Sequence, residues 1–245
     1  MEIKVSGYYW LDSWIMANII QLATQEFCSN YLNYKNDPCG RQYDQMTQAA
    51  RSGQANIAEG NSRHNTSRET EMKLTDVARA SFSELASDYF NWLIKNGVAP
   101  WSNKSEEFKI VSYIQLDRPT YKDDVQHLSA LHILTQKSKY SEWLSSTDSI
   151  KTANCILILC NRTILMLNKQ LQYQLESFKQ EGGFSETLTA ERLSFKVQQE
   201  QQTGAPTCPK CGKPMIKRIC KRGGNIGNSF WSCSAYPECN GSRKC

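Results

Sequence analysis

Gln45-Met46-Thr47-Gln48-Ala49-Ala50-Arg51-Ser52-Gly53-Gln54-Ala55-Asn56-Ile57-Ala58-Glu59-Gly60 decides how the first two thirds of this chain fold. No proline interrupts the string. Ala49, Ser52, Gly53 and Asn56 recur at three- and four-residue spacing, so one side of the predicted helix is nearly bare backbone that a neighbouring helix can approach closely. The helix is predicted over 41–59 and stops at Gly60, a residue suited to the left-handed position that ends helices.

Working outward, the segment 10–32 places Leu11, Trp14, Ile15, Ile19, Leu22 and Phe27 at helical spacing, and Asn36-Asp37-Pro38 then marks a turn. Thr66-Ser67-Arg68-Glu69 fits a capping box, with Leu74, Val77, Ser81, Leu85, Tyr89 and Trp92 following on one face of a helix that ends near Gly97. A fourth long helix starts at Asp148 or Ser149 and runs through Ile156, Leu159, Leu167, Leu171, Leu175 and Phe178 to a stop before Gly182-Gly183. The predicted class is all-α: an up-down four-helix bundle over 8–183, followed by a helix and linker at 184–206 and a small four-cysteine zinc ribbon at 207–245. The connection at 98–147 is long for a bundle, and is expected to form small helices packed on one end of it.

Charge divides where composition changes. From Gly204 onward eight basic residues (Lys210, Lys213, Lys217, Arg218, Lys221, Arg222, Arg243, Lys244) face one acid, Glu238, whereas positions 1–203 hold 21 basic and 23 acidic residues. Four thiolates on one Zn²⁺ still leave the tail cationic enough to attract a polyanion. Of ten cysteines, six fall in the final 38 residues, four of them at metal-ligand spacing, which suits a reducing compartment and a cytoplasmic protein better than a disulfide framework. Nothing in the first thirty residues reads as a signal peptide. The most apolar run, 155–167, is broken by Asn161, Arg162 and Thr163 and falls short of the roughly 20 apolar residues a membrane span needs, so it is read as a buried helix and no membrane is expected.

The Gln45-x-x-x-Ala49-Ala50-x-Ser52 string ending in Asn56-Ile57-Ala58-Glu59-Gly60, with Val77-Ala78-Arg79-Ala80-Ser81 and Glu84-Leu85 on the next helix, resembles a bacterial four-helix-bundle family. That family includes proteins encoded in ribosomal RNA intervening sequences and the accessory subunit of diversity-generating reverse transcriptases. Full length, the chain resembles the variant with a suffix domain. The resemblance implies a ring-shaped pentamer that acts without catalysis, and makes a reverse transcriptase or other nucleic-acid enzyme an expected partner. Gln45, Ser52, Asn56, Glu59 and Gly60 are the motif positions; Asn56 and Glu59 are read as a buried hydrogen-bond network and a helix terminus. The residues themselves also predict a homo-oligomer, because the small-residue seam and the apolar breadth of the fourth helix exceed what one bundle face buries.

In the tail, Cys208-Pro209-Lys210-Cys211-Gly212 is a tight turn with two converging thiolates, and after 21 residues Cys233 and Cys239 supply the second pair. Four cysteines complete a tetrahedral Zn²⁺ set with no open position for chemistry, so the metal is structural. Together with Phe230-Trp231-Ser232-Cys233-Ser234-Ala235-Tyr236-Pro237-Glu238-Cys239, the pattern resembles the C-terminal zinc ribbons of bacterial type I topoisomerases, in which basic and aromatic residues hold single-stranded DNA. Phe230, Trp231 and Tyr236 offer faces to stacked bases, and Lys217, Arg218, Lys221 and Arg222 offer charge to phosphates, a combination that binds single strands of DNA or RNA without reading sequence. Cys220 and Cys245 lie off the ligand pattern and are expected to be spare thiols.

His64, His127 and His132 have neither metal spacing nor an adjacent nucleophile, and no His-x-Glu precedes the cysteine pair as a zinc deaminase requires. The sequence therefore predicts a non-catalytic, oligomeric nucleic-acid-binding accessory protein, with a scaffold that docks a nucleic-acid enzyme through the bundle as the alternative.

Overall fold

The computed structural model describes residues 7–33, 35–182, 184–202, 205–220 and 227–244. It is mostly helical, and the chain divides between Glu181 and Gly182 into two compact units.

In the first unit, α1 (Asp12–Tyr31), α2 (Arg41–Ser62), α3 (Arg68–Lys95) and α7 (Ser149–Glu181) surround one apolar core in which Phe27, Phe82, Leu85, Tyr89 and Ile156 are wholly buried. α1 packs against α2 and α7, and α3 packs against the same two. Three shorter helices, α4 (Glu106–Tyr113), α5 (Val125–Ser138) and α6 (Ser141–Leu144), occupy the connection between α3 and α7.

Two helix ends differ from the sequence expectation. α2 runs straight through Gly60 to Ser62, and Gly60 is buried. A Cβ there would sit 3.2 Å from Glu71 O and 3.2 Å from Leu74 Cβ, so the glycine serves a close approach of α2 to α3, and not a left-handed stop. At the start of α3 the cap is Ser67, whose Oγ accepts from Thr70 N–H at 3.2 Å; Thr66, one residue earlier, lies outside the helix. The bare side of α2 does meet α3. A Cβ on Gly53 would stand 2.6 Å from the Phe82 ring, and Ser52 Oγ shares a 3.0 Å hydrogen bond with Ser81 Oγ.

By length and composition the segment Ser149–Gln180 is apolar enough to cross a membrane, although its longest uninterrupted apolar run is too short to do so, and 61% of its most apolar window is buried inside the protein. Arg162, which interrupts the apolar stretch 155–167, and two polar residues just before that stretch fasten the connection to α7. Arg162 donates to Val111 O (3.0 Å), Ile114 O (2.6 Å) and Tyr140 Oη (2.8 Å), satisfying carbonyls at the C-terminal end of α4 where a cation also suits the helix dipole. Asn154 Oδ1 accepts from Trp101 N–H at 2.8 Å, and Thr152 Oγ1 donates to Trp143 O at 2.9 Å. α5 takes a different course from the one expected. It lies along α1, from ring contacts linking Trp10, Tyr121 and His132 near the start of α1 to Lys137 Nζ paired with Glu26 at 2.8 Å near its end, so the connection flanks the long helices lengthwise.

The second unit begins with α8 (Phe184–Gln202) and ends in a three-stranded antiparallel sheet, β1 (Met215–Ile219), β2 (Ser229–Cys233) and β3 (Ser242–Lys244), in that order. This sheet qualifies the all-α expectation. Its strands are three to five residues long, too short for alternation to stand out in the sequence.

Candidate metal centre and nucleic-acid interface

Each cysteine pair is placed by a backbone turn that also supplies N–H groups to sulfur. In the first, Cys208 N–H donates to Lys213 O (2.8 Å) and Gly212 N–H returns to Cys208 O (2.9 Å), with Gly212 at φ +70°, where a side chain would be strained. Lys210 N–H then points at Cys208 Sγ, 3.4 Å away. The second pair follows the end of β2. Cys239 N–H donates to Ala235 O (2.9 Å), and Ala235 N–H lies 3.4 Å from Cys233 Sγ. Amide donors on sulfur stabilise thiolate over thiol.

The turns bring the sulfurs of Cys208, Cys211, Cys233 and Cys239 within 4.8 Å of one another, the one group of three or more potential metal ligands among the described residues. Cys208 Sγ stands 3.9 Å from Cys239 Sγ and Cys211 Sγ 3.3 Å from Cys233 Sγ. A disulfide needs about 2.05 Å, and a tetrahedron with Zn–S of about 2.3 Å has edges of about 3.8 Å. The spacing therefore suits four ligands around one ion. The Lys210 amide, aided by that of Cys211, draws the Cys208 thiol down to about 7. At Cys233 the Ala235 amide pulls the same way, but burial and the thiols of Cys211, Cys239 and Cys208 prevail and push it up to about 12. Four thiolates cannot ionise side by side unless a cation joins them, so the donor set and its electrostatics are compatible with zinc.

A fifth residue completes the cluster. Gly241 is buried, its carbonyl accepts from Cys233 N–H at 2.9 Å, and a Cβ on it would run into Cys208 Sγ. Alanine has no room there. The sequence gives no hint of this role, because it arises from the return of the chain across the sheet and not from ligand spacing.

The sheet carries basic and aromatic residues in register. Lys217 pairs with Trp231 and Trp231 with Arg243; one residue along, Arg218 pairs with Phe230 and Phe230 with Lys244. Because side chains alternate, the first row shares a face with Met215 and Cys233 and the second lies on the opposite face. Each aromatic residue is paired with a basic residue on both neighbouring strands. Trp231 packs against the small buried cluster of Cys208, Met215 and Cys233, whereas Tyr236 is 57% exposed, with the Arg218 guanidinium 5.7 Å from its ring centre. Arg243 and Lys244 are thus drawn into the aromatic rows by pairing that the sequence reading did not anticipate. Lys221, Arg222 and Cys245 lie outside the described residues, and Cys220 stays outside the four-sulfur group.

The motif positions of α2 have separate surroundings. Gln45 and Ser52 line a groove of about 780 Å³ between α2 and α3 that also holds Asp44, Glu84 and Asp88, and burial together with Glu84 raises the Asp88 carboxyl above its usual value. Asn56 Nδ2 donates to Ser52 O (2.8 Å) and Ser52 Oγ (3.1 Å), while Glu59 is exposed 3.9 Å from Arg63. His64 is not solitary. Its Nδ1 lies 2.9 Å from Oε2 of Glu71, a buried carboxylate that also accepts from Gln174 Nε2 at 3.0 Å, tying the end of α2 to α3 and α7.

Compared with protein-family models, with curated proteins and with solved structures, the chain finds no match in any of the three. The functional reading rests on its own residues.

Proposed function

We propose that the protein is a non-catalytic accessory factor whose zinc-loaded ribbon holds single-stranded DNA or RNA, and which multiplies weak ribbon contacts by assembling as a homo-oligomer of up-down four-helix bundles. The observation that carries this reading is the register of the sheet, which sets Trp231 between Lys217 and Arg243, and Phe230 between Arg218 and Lys244. Cations follow phosphates and aromatic faces accept any base, so such rows favour single strands without sequence preference. Cys208, Cys211, Cys233 and Cys239 would hold one Zn²⁺, whose contribution is structural: it ties the two turns together where the apolar cluster is too small to do so. The family resemblance makes the oligomer a pentamer, and the reduced thiols suit the cytoplasm. Several ribbons on one particle raise the effective concentration of each for a shared strand.

The groove holding Asp44, Glu84 and Asp88 favours a second reading, in which the protein is a scaffold that docks a reverse transcriptase or other nucleic-acid enzyme through the bundle ring, this acidic groove taking a basic surface of the partner. Salt separates the two. On a labelled single-stranded oligonucleotide, log affinity of the zinc-loaded protein should fall with log salt, and the Lys217→Ala/Arg218→Ala double variant should flatten that slope by about 0.7 per lost phosphate contact. Parent protein that shows no salt-sensitive binding would leave the docking reading in possession.

A further inference from the structure

A carboxylate, a carboxamide and a guanidinium meet in one small pocket of the first unit, where the end of α2, the first turn of α3 and the second half of α7 come together. The pocket has a volume of about 170 Å³ and is lined by His64, Arg68, Glu71, Gln174 and Ser177 among others. Glu71 is only 4% exposed. A charge so buried needs donors around it, and His64 Nδ1 and Gln174 Nε2 take two of the roughly four lone-pair sites that a carboxylate offers. Gln174 is itself 7% exposed, and its amide nitrogen donates to Glu71 Oε1 at 3.0 Å and to Thr75 Oγ1 at 3.2 Å. Its Oε1 is buried and has no partner. Turning the amide over would only set that oxygen against the Glu71 carboxylate, so the deep side of the pocket calls for hydrogen-bond donors and positive charge. Arg68 brings the opposite demand. It lies in the first turn of the 28-residue α3, three residues from Glu71 on the same face, and adds the positive end of the helix to its own guanidinium, which is steadied by a hydrogen bond to Ser177 Oγ.

We propose that this pocket binds a small zwitterion with the chemistry of a free α-amino acid, its ammonium group held by Glu71 and Gln174 Oε1 and its carboxylate by the charge of Arg68 and of the start of α3. An ammonium group carries donors and a unit charge, which a buried carboxylate and an orphaned carbonyl oxygen both lack. A lone amine would be repelled by Arg68, and a lone carboxylate by Glu71. A ligand with one charge of each sign, close together, is the one whose two ends are both matched. Volume limits the remainder, since the pocket has room for about five waters at ~30 Å³ each, enough for a ligand of about six non-hydrogen atoms. His64 stands at the solvent edge with 44% of its side chain exposed, and the ligand reaches Glu71 past its ring. The site belongs to the helical unit and is independent of the ribbon and of its ligand.

The test is calorimetric titration of L-alanine into full-length zinc-loaded protein, with circular dichroism to check folding. Ethylamine lacks only the carboxylate of alanine, and propionate lacks only its amine. Alanine should bind at least about tenfold more tightly than either, because each analogue gives up one charge-assisted end. Glu71→Gln keeps the shape of the side chain and removes its charge, and Arg68→Met keeps the stem and removes the guanidinium. Each should weaken alanine at least about tenfold with zinc content unchanged, while propionate binds Glu71→Gln, and ethylamine binds Arg68→Met, no worse than the parent. If Glu71→Gln does not fold, Arg68→Met and the two analogues still decide the matter. No binding of alanine up to about 10 mM would mean that the pocket holds water alone and would overturn the proposal. Ethylamine or propionate that binds as tightly as alanine overturns the zwitterion. Folded variants that bind alanine like the parent place that binding outside this pocket, and the assignment fails.

Discussion

The two units of this protein are held together by different kinds of force. In the helical unit, residues from α1, α2, α3 and α7 bury one another, and more than thirty side chains share a single core. Among the described residues the terminal sheet has a buried cluster of three, Cys208, Met215 and Cys233, and two of those are thiols. A sheet of strands three to five residues long cannot reach stability on that burial, and in the proposed reading a Zn²⁺ on the four cysteines would supply what packing does in the other unit. One unit should be insensitive to chelation and sensitive to cavities, and the other the reverse.

The largest effect tests that contrast from the ribbon side. A structural zinc contributes of the order of 10 kcal/mol to a module of this size. Cys208→Ser, or removal of metal by a strong chelator, should therefore unfold the sheet outright, seen as loss of bound zinc and of Trp231 fluorescence shifts on denaturation. The helical signal by circular dichroism and its thermal midpoint should stay where they were. If the helical melt moves with the metal, the two units are not energetically separate.

From the other side, Phe82→Ala removes a wholly buried ring that Gly53 is shaped to receive. The expected loss is about 3–5 kcal/mol from the helical unit, read in denaturant unfolding, with zinc stoichiometry unchanged. A loss under about 1 kcal/mol would mean that α2 and α3 close over the space, and that the small-residue seam is looser than its geometry implies.

What the sequence made legible follows the same division. The four-sulfur cluster was readable because Cys208, Cys211, Cys233 and Cys239 fall in local pairs at metal-ligand spacing, and the long helices were readable because their apolar period repeats over several turns. Gly60 misled because a glycine at a helix end and a glycine under a crossing helix look alike until Glu71 and Leu74 are seen against it. Gly241, Arg243 and Lys244 act through partners across the sheet, and pairing register is not encoded in any one segment. Arg162 looked like a break in an apolar run. Its use, collecting the carbonyls of Val111 and Ile114, depends on a connection whose path along α1 and α7 no periodicity predicted.

The smallest expected effect concerns how far the ribbon's aromatic residues serve the fold and how far they serve a ligand. Trp231 packs on Met215 and the cysteines, while Tyr236 stands mostly exposed with the Arg218 guanidinium 5.7 Å from its ring centre, so their roles should separate on substitution. Tyr236→Ala should keep one zinc per chain and an unchanged ribbon, yet lose about 1–3 kcal/mol of affinity for a single-stranded oligonucleotide at every salt concentration, since stacking carries no counterion release. Trp231→Ala should lower the temperature at which the zinc-loaded sheet unfolds, because part of the cluster's cover is gone. Strand binding should fall with it, partly through the unfolded fraction and partly through loss of the ring between Lys217 and Arg243. Should Trp231→Ala hold its zinc and its thermal midpoint while binding weakens, the indole is a stacking surface. In that case the comparison between a unit held by packing and a unit held by metal becomes sharper still, because the ribbon would have no aromatic core at all.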